Sequence, residues 1–362
     1  MRSRSWGVEV SGWGVVAVAG VAATVAAGTV PDVIKGWGGD NRVFLTVLCA
    51  VSALLFAGIN WLQQRRRGVG IVVTLRRSGW REPWTHQWAV AANDHARRHH
   101  DSCFVVQREI RAAASGQADP DSDWARARRN EIDVAWELVN ARLMEAAMSD
   151  PAAPVSLYVN AALPEAYELG AKLKFNVQRT MRALVTPALQ QRAELSGSDF
   201  HPALSVSARL KEPLTASEAT KAARLVQTRE KVFDDNGSAG ADDAVALVVH
   251  LAHNPAMVAE ALNASRAGCV DVTGARARCR VALVIDACQA NLPENNEDFE
   301  LVVRHVYAAW GAWLRENPEY AALRKRLFIA APVTIGLALG WLLGHTVSPV
   351  PHPYIGVGDG NR

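Results

Sequence analysis

Residues 157–170, "LYVNAALPEAYELG", and 327–340, "LFIAAPVTIGLALG", align without a gap. Leu157/Leu327, Ala161/Ala331, Leu169/Leu339 and Gly170/Gly340 are identical, and Tyr158/Phe328 and Val159/Ile329 are similar. Each copy reads as a short buried strand running into a helix that starts near a proline, Pro164 or Pro332, a residue tolerated in a first helical turn. The flanks repeat too. Strand-like "VGIVVTLRR" (69–77) pairs with "AVALVVHLAH" (244–253), and "CFVVQREI" (103–110) with "VALVIDAC" (281–288). Helical periodicity follows at about 84–98, 122–148, 255–267 and 297–316. "ALSVSARL" (203–210) and "YIGVG" (354–358) are the candidate closing strands. Alternation of this kind predicts an α/β fold with mainly parallel sheets. It gives two pseudo-symmetric Rossmann-like halves, about 68–211 and 243–362, joined by a polar linker at about 212–242.

The repeat also decides what residues 327–344 are. They carry no charge and are long enough for a bilayer, yet the matching first copy holds Glu165 and Glu168 in its helix. A buried parallel strand with a helix packed on the sheet explains the missing charge without a membrane.

The front of the chain is different. Val10–Val30 and Val43–Leu62 are uncharged runs of 21 and 20 residues, each matching a membrane-spanning helix. Between them lies the turn-like "PDVIKGWGGDNR", with Arg2 and Arg4 before and Arg65, Arg66 and Arg67 after. Residues 1–67 therefore predict a two-helix transmembrane hairpin with both ends in the cytoplasm. Gly20, Thr24 and Gly28, beside Ala19, Ala23 and Ala27, form small-residue stripes that allow close helix packing, within the hairpin or between subunits.

Residues 1–67 hold seven Lys/Arg against three Asp/Glu, which leaves 32 against 33 in the remainder. That near-neutral balance argues against gripping long DNA or RNA and leaves room for a small anionic ligand held by a few arginines. The five cysteines are scattered without a CxxC, as expected of buried reduced thiols. His95 and His99 are four apart, but Arg97 and Arg98 beside them and the lack of further ligands disfavour a metal. There is no GxSxG, HExxH, GxxxxGK[ST] or GxGxxG, so neither an ordinary enzyme nor a cofactor is expected.

The segments "APVSLYVNAALPEAYELGAKL" and "KRLFIAAPVTIGLALGWLLG" resemble the recurrent strand–small/Pro–helix–Leu-Gly pattern of the SAVED domain family, built of two fused CARF-like Rossmann halves. With a hairpin ahead of it, the chain resembles the transmembrane SAVED effectors of CBASS, a bacterial anti-phage defence. The resemblance implies a sensor for a cyclic oligonucleotide made by a nucleotidyltransferase. It further implies a homo-oligomer on activation that permeabilises the lipid bilayer of the inner membrane, with the sensor domain in the cytoplasm. A membrane-anchored nucleotide-processing enzyme and a protein-docking module are the alternatives.

In open α/β sheets ligands bind beyond the carboxyl ends of the strands. Half one offers Arg76, Arg77, Ser78 and Trp80, then Gln107 and Arg108, then Asn160. Half two offers His250, His253 and Asn254, then Asp286 and Gln289, then Thr334. Arginine forks onto phosphate, amides read base edges and tryptophan stacks on bases. Arg76 and Arg77 equally suit a solvated or membrane-facing role, and His250 and His253 a helix cap. Trp80, Trp84 and Trp88 at four-residue spacing suit a packed helix face.

Overall fold

The computed structural model describes Ser52 and residues 68–77, 83–110, 123–149, 153–173, 181–185, 200–233, 244–252, 254–289, 292–352 and 354. The chain divides into two units, Met1–Arg65 and Arg66–Arg362. The expected spans, with Gly20, Thr24 and Gly28, lie outside the described residues apart from Ser52. Among the described residues no helix is long and apolar enough to cross a membrane.

Half one runs β1 (Val69–Arg77), α1 (Pro83–His99), β2 (Ser102–Ile110), α2 (Asp123–Ser149), β3 (Val155–Ala161), α3 (Leu163–Leu173), β4 (Met181–Val185) and β5 (His201–Val206). The sheet order is β2-β1-β3-β4-β5, parallel except for β4–β5. β1 is apolar on both faces because helices cover both. Ile71, Val73 and Leu75 join the core that takes in α2 and α3, while Val72 packs with Trp88, Ala92 and Phe200 on the α1 side. Trp88 is therefore a core residue.

After α4 (Ala216–Leu225) and β6 (Val226–Val232), half two runs β7 (Ala244–His250), α5 (Met257–Ala267), the short pair β8 (Cys269–Val270) and β9 (Arg276–Ala277), β10 (Cys279–Ala287), α6 (Asn296–Glu316), α7 (Pro318–Ala321), β11 (Arg324–Ala330), α8 (Val333–Leu343) and β12 (Ser348–Pro349). Its order is β12-β11-β7-β10-β6. The four strands β1, β2, β3 and β4 thus correspond to β7, β10, β11 and β12.

Three expectations need correction. The presumed linker at 212–242 contributes α4 and the antiparallel edge strand β6, which pairs with β10. Its charged, exposed sequence suits an edge strand with little to bury. The strand expected at 203–210 ends at Val206 and runs antiparallel to β4, a strand the sequence reading missed; Ala208–Lys211 is a 3-10 turn. In half two the place of β4 is taken by Ser348–Pro349, and 355–358 lie outside the described residues. Cys269 and Cys279 are buried and Cys103 half-buried, but Cys288 is exposed, against expectation.

Residues 327–344 are β11 and α8. Thr334 through Leu343 are buried because α8 lies against α3 between the two sheets. An added Cβ at Gly170 would collide with the carbonyl oxygen of Leu337, and one at Gly340 with that of Tyr167. Only glycine permits so close an approach of two backbones. Gly336, Gly340 and Gly344 meet Leu163, Tyr167 and Ala171 in that order, so the helices run parallel. The strands feeding them therefore point the same way, and the carboxyl ends of both sheets share one end of the fold.

Candidate functional site

Side chains alternate across a strand, so the α1 face of half one carries every second residue of β1, β2 and β3. Near their carboxyl ends Thr74 stands opposite both Gln107 and Asn160, a polar row across three strands. One step further on, Arg76 stands opposite Glu109. Thr74 and Asn160 are 5% and 9% exposed, and Thr74 Oγ1 and Asn160 Nδ2 have no hydrogen-bond partner. Buried polar groups are nearly always paired, so two orphans in one row signal a place for something else. A cavity of about 470 Å³ opens between α1 and this row, lined by Thr74, Arg76, His86, Asn93, Gln107 and Arg108 among others.

The arginines divide by environment. Arg76 pairs with Glu109 at 3.1 Å, both about half exposed, and such a pair is worth only about 0–1 kcal/mol. A phosphate can replace that carboxylate at little cost. Arg77 points to the other face, where it grips both oxygens of the fully buried Glu165. Arg128 of α2 bonds the same carboxylate at 3.0 Å and reaches Glu168 at 2.6 Å. Burial opposes the Arg128 charge, and Glu168 and Glu165 more than offset it, so its pKa rises. Burial pushes the Glu168 carboxyl up, against the pull of Arg128. This cluster anchors α3 to β1 and α2, so Arg77 is a structural residue here. Arg108 is held by Glu131 at 2.6 Å and keeps its place in the cavity wall.

Deeper on the same face, the Tyr158 hydroxyl lies 2.7 Å from His95 Nδ1 and 3.0 Å from His100 Nε2. Burial is the main cause that lowers the His95 pKa to about 4, so His95 is neutral at ordinary pH.

Half two presents the same level with other chemistry. The ladders place Ile71 and Phe104 where Leu247 and Leu283 stand. The row Gln107–Thr74–Asn160 then falls on Asp286–His250–Ala330. His250 Nδ1 lies 2.7 Å from Asp286 Oδ1, and Arg229 of β6 lies 3.6 Å from the other oxygen; His250 Nε2 has no partner. The backbone carbonyl of Asn254 accepts from the Met257 amide just before α5, while Gln289 is exposed after β10. Thr334 is fully buried in the first turn of α8 with Oγ1 unpartnered. Ser78, Trp80 and His253 lie outside the described residues. Among the described residues no cluster suits a metal ion.

The structure therefore brings Arg76, Gln107, Arg108 and Asn160 together in half one, and His250 with Asp286 in half two. It sets Arg77 in the ion cluster with Glu165, Asn254 just before α5 and Thr334 in the first turn of α8. Thr74, His86, Asn93 and Glu109 were missed by the sequence reading. Thr74 had a signal, as the one polar residue inside the apolar run of β1; His86 and Asn93, seven apart on α1, had only helical spacing.

No family model matches the chain, and no curated protein does. Solved structures to which it is similar include the SAVED/CARF-domain receptor Cap4 of Acinetobacter baumannii. The Cap4 complex with the cyclic trinucleotide 2'3'3'-cAAA gives a TM-score of 0.42 at 11% identity, covering 78% of this chain and 50% of the receptor. The complex with 3'3'3'-cAAA gives 0.40 at 11%, covering 65% and 43%, and the receptor alone 0.36 at 11%, covering 78% and 48%. The chain spans about half the length of the solved receptors it matches. At such identity and scores, nothing about ligand or activity passes from them to this chain.

Proposed function

We propose that Arg66–Arg362 is a sensor that binds a small cyclic oligonucleotide at the shared carboxyl end of its two sheets. The observation that carries this reading is the row Gln107–Thr74–Asn160, with two buried unpartnered polar groups beside a cavity and an exchangeable arginine, Arg76, at its rim. Amides and a hydroxyl suit the donor–acceptor edge of a base, and arginine suits the phosphate that joins two nucleosides. The cavity takes one nucleotide of the ring. Binding rather than turnover is the expected activity.

The output follows from the front of the chain. Residues 1–67 insert as a hairpin in the bacterial inner membrane, with both termini and the sensor in the cytoplasm. Ligand-bound sensors assemble, and the small-residue stripes of neighbouring first spans come together and permeabilise the bilayer. The test is dye release from vesicles carrying the full chain, on addition of cyclic di-, tri- and tetranucleotides. Replacing Gly20 and Gly28 by leucine is expected to abolish release while nucleotide binding persists; release that survives the change, or binding lost with it, contradicts this division of labour.

A second reading draws on one pair. With Asp286 accepting from Nδ1, a neutral His250 leaves Nε2 as a base, an arrangement that suits processing of a bound phosphodiester. Product analysis after prolonged incubation separates the two, since a sensor returns the ring intact.

A further inference from the structure

The two sheets differ at one edge. β10 is covered by antiparallel β6, whereas β2, its counterpart, is the outermost strand of its sheet. β6 carries Arg229, Glu230 and Lys231, the kind of charge that guards an edge. β2 is nine residues long and reads SCFVVQREI, without a charge until Arg108. Among the described residues it is an unguarded edge, and apolar side chains stand exposed around it. Val105 on β2 is 44% exposed and Val90 on α1, which shares the cavity wall with it, 48%. On the other face Leu138 of α2 is 44% exposed, one turn before Arg142, whose guanidinium covers the Phe104 ring at 4.7 Å.

From this we infer that the β2 edge is a docking surface for a second copy of this chain, paired antiparallel about a two-fold axis at Val106. The strand's own sequence selects that partner. Such pairing sets Phe104 opposite the partner's Arg108, Val105 opposite the partner's Gln107, and Cys103 opposite the partner's Glu109. No like charges meet, and arginine meets an aromatic ring on each side, whereas like charges directly opposite destabilise a ladder. The two-fold contact closes, so assembly through this edge stops at two. The five-stranded sheets then join into one, and the partner's Gln107 borders each cavity. The surface rests on topology and exposure and does not depend on which ligand the cavity takes.

Directly opposed residues lie within disulfide reach. The full chain in detergent, carrying Glu109→Cys, is expected to cross-link under mild oxidation into a dimer through native Cys103, and adding Cys103→Ser abolishes the bond. Independently, light scattering on the unmodified full chain gives twice the chain mass, and Leu138→Lys, on the exposed rim and outside the cavity, halves it with an unchanged circular dichroism spectrum. Absence of the cross-link together with an unmoved mass in Leu138→Lys overturns the inference, as does a series of masses beyond two. If no nucleotide raises the melting temperature while the cross-link forms, the sensor reading fails and the interface stands.

Discussion

Thr74 and Arg76 sit two residues apart on one face of one strand and do opposite things. Thr74 is buried without a partner, and Arg76 is exposed with a replaceable one. Arg76→Ala is expected to weaken nucleotide binding about 10- to 100-fold, the worth of a charge-assisted hydrogen bond, with stability little changed; titration calorimetry checks the first and urea unfolding the second. Glu165→Gln is the converse. It leaves Arg77 and the buried Arg128 short of their counter-charge, and urea unfolding should show a loss of about 3–5 kcal/mol. The two arginines side by side in sequence looked interchangeable; the alternation of β1, which sends them to opposite faces, separates them.

Protonation adds a prediction at the same scale. Unfolded histidine titrates near 6.5 and His95 in the fold near 4, so as pH falls through that window the unfolded chain takes the proton first. Stability is expected to decline between about pH 6.5 and 4, and His95→Gln to flatten that slope in melting curves. Glu218 acts in the same direction at lower pH. Hydrogen bonds from Arg304 and from Thr215 hold its carboxyl down to about 2, so its contribution is complete above the usual 4.5 and is lost as pH falls toward 2.

At the scale of elements, the contact of α3 with α8 organises the molecule. Gly340→Ala places a methyl into the Tyr167 carbonyl and should cost about 1–3 kcal/mol or more, as overpacking does, read as a lowered urea midpoint. The repeat showed Gly170 and Gly340 as matched positions, and the structure explains the match, since each stands where the other helix's backbone passes. Helices α1, α2, α5 and α6 begin and end within about two residues of where periodicity put them, because each has one apolar face. β4 and β6 were not legible. β4 is five residues long with the exposed Arg182 as its second residue, and β6 buries only Val226, so neither shows the apolar run of a central strand. The charge clamp that ties α4 to α6, Arg304 on Glu218 at 2.6 Å, joins residues 86 apart, a pairing no local pattern reveals. The helix start carries the capping pattern T-x-x-E, which the sequence reading left inside the linker, and Thr215→Ala should cost about 1 kcal/mol.

For the whole molecule, a gapless repeat of fourteen residues led to two sheets pointing the same way, and hence to one end of the fold that the strand termini of both halves share. The residues at that end were nominated by rule, and the structure sorted them by face and burial. That sorting depends on which side of each strand a helix covers, which spacing alone does not fix. The most direct test is a melting titration of the full chain against cyclic di-, tri- and tetranucleotides. The account predicts that one ring stabilises the fold, by about 2.7 kcal/mol at a hundredfold excess over its Kd, and that Arg76→Ala removes most of the rise. A cooperative transition that no ring moves would contradict it.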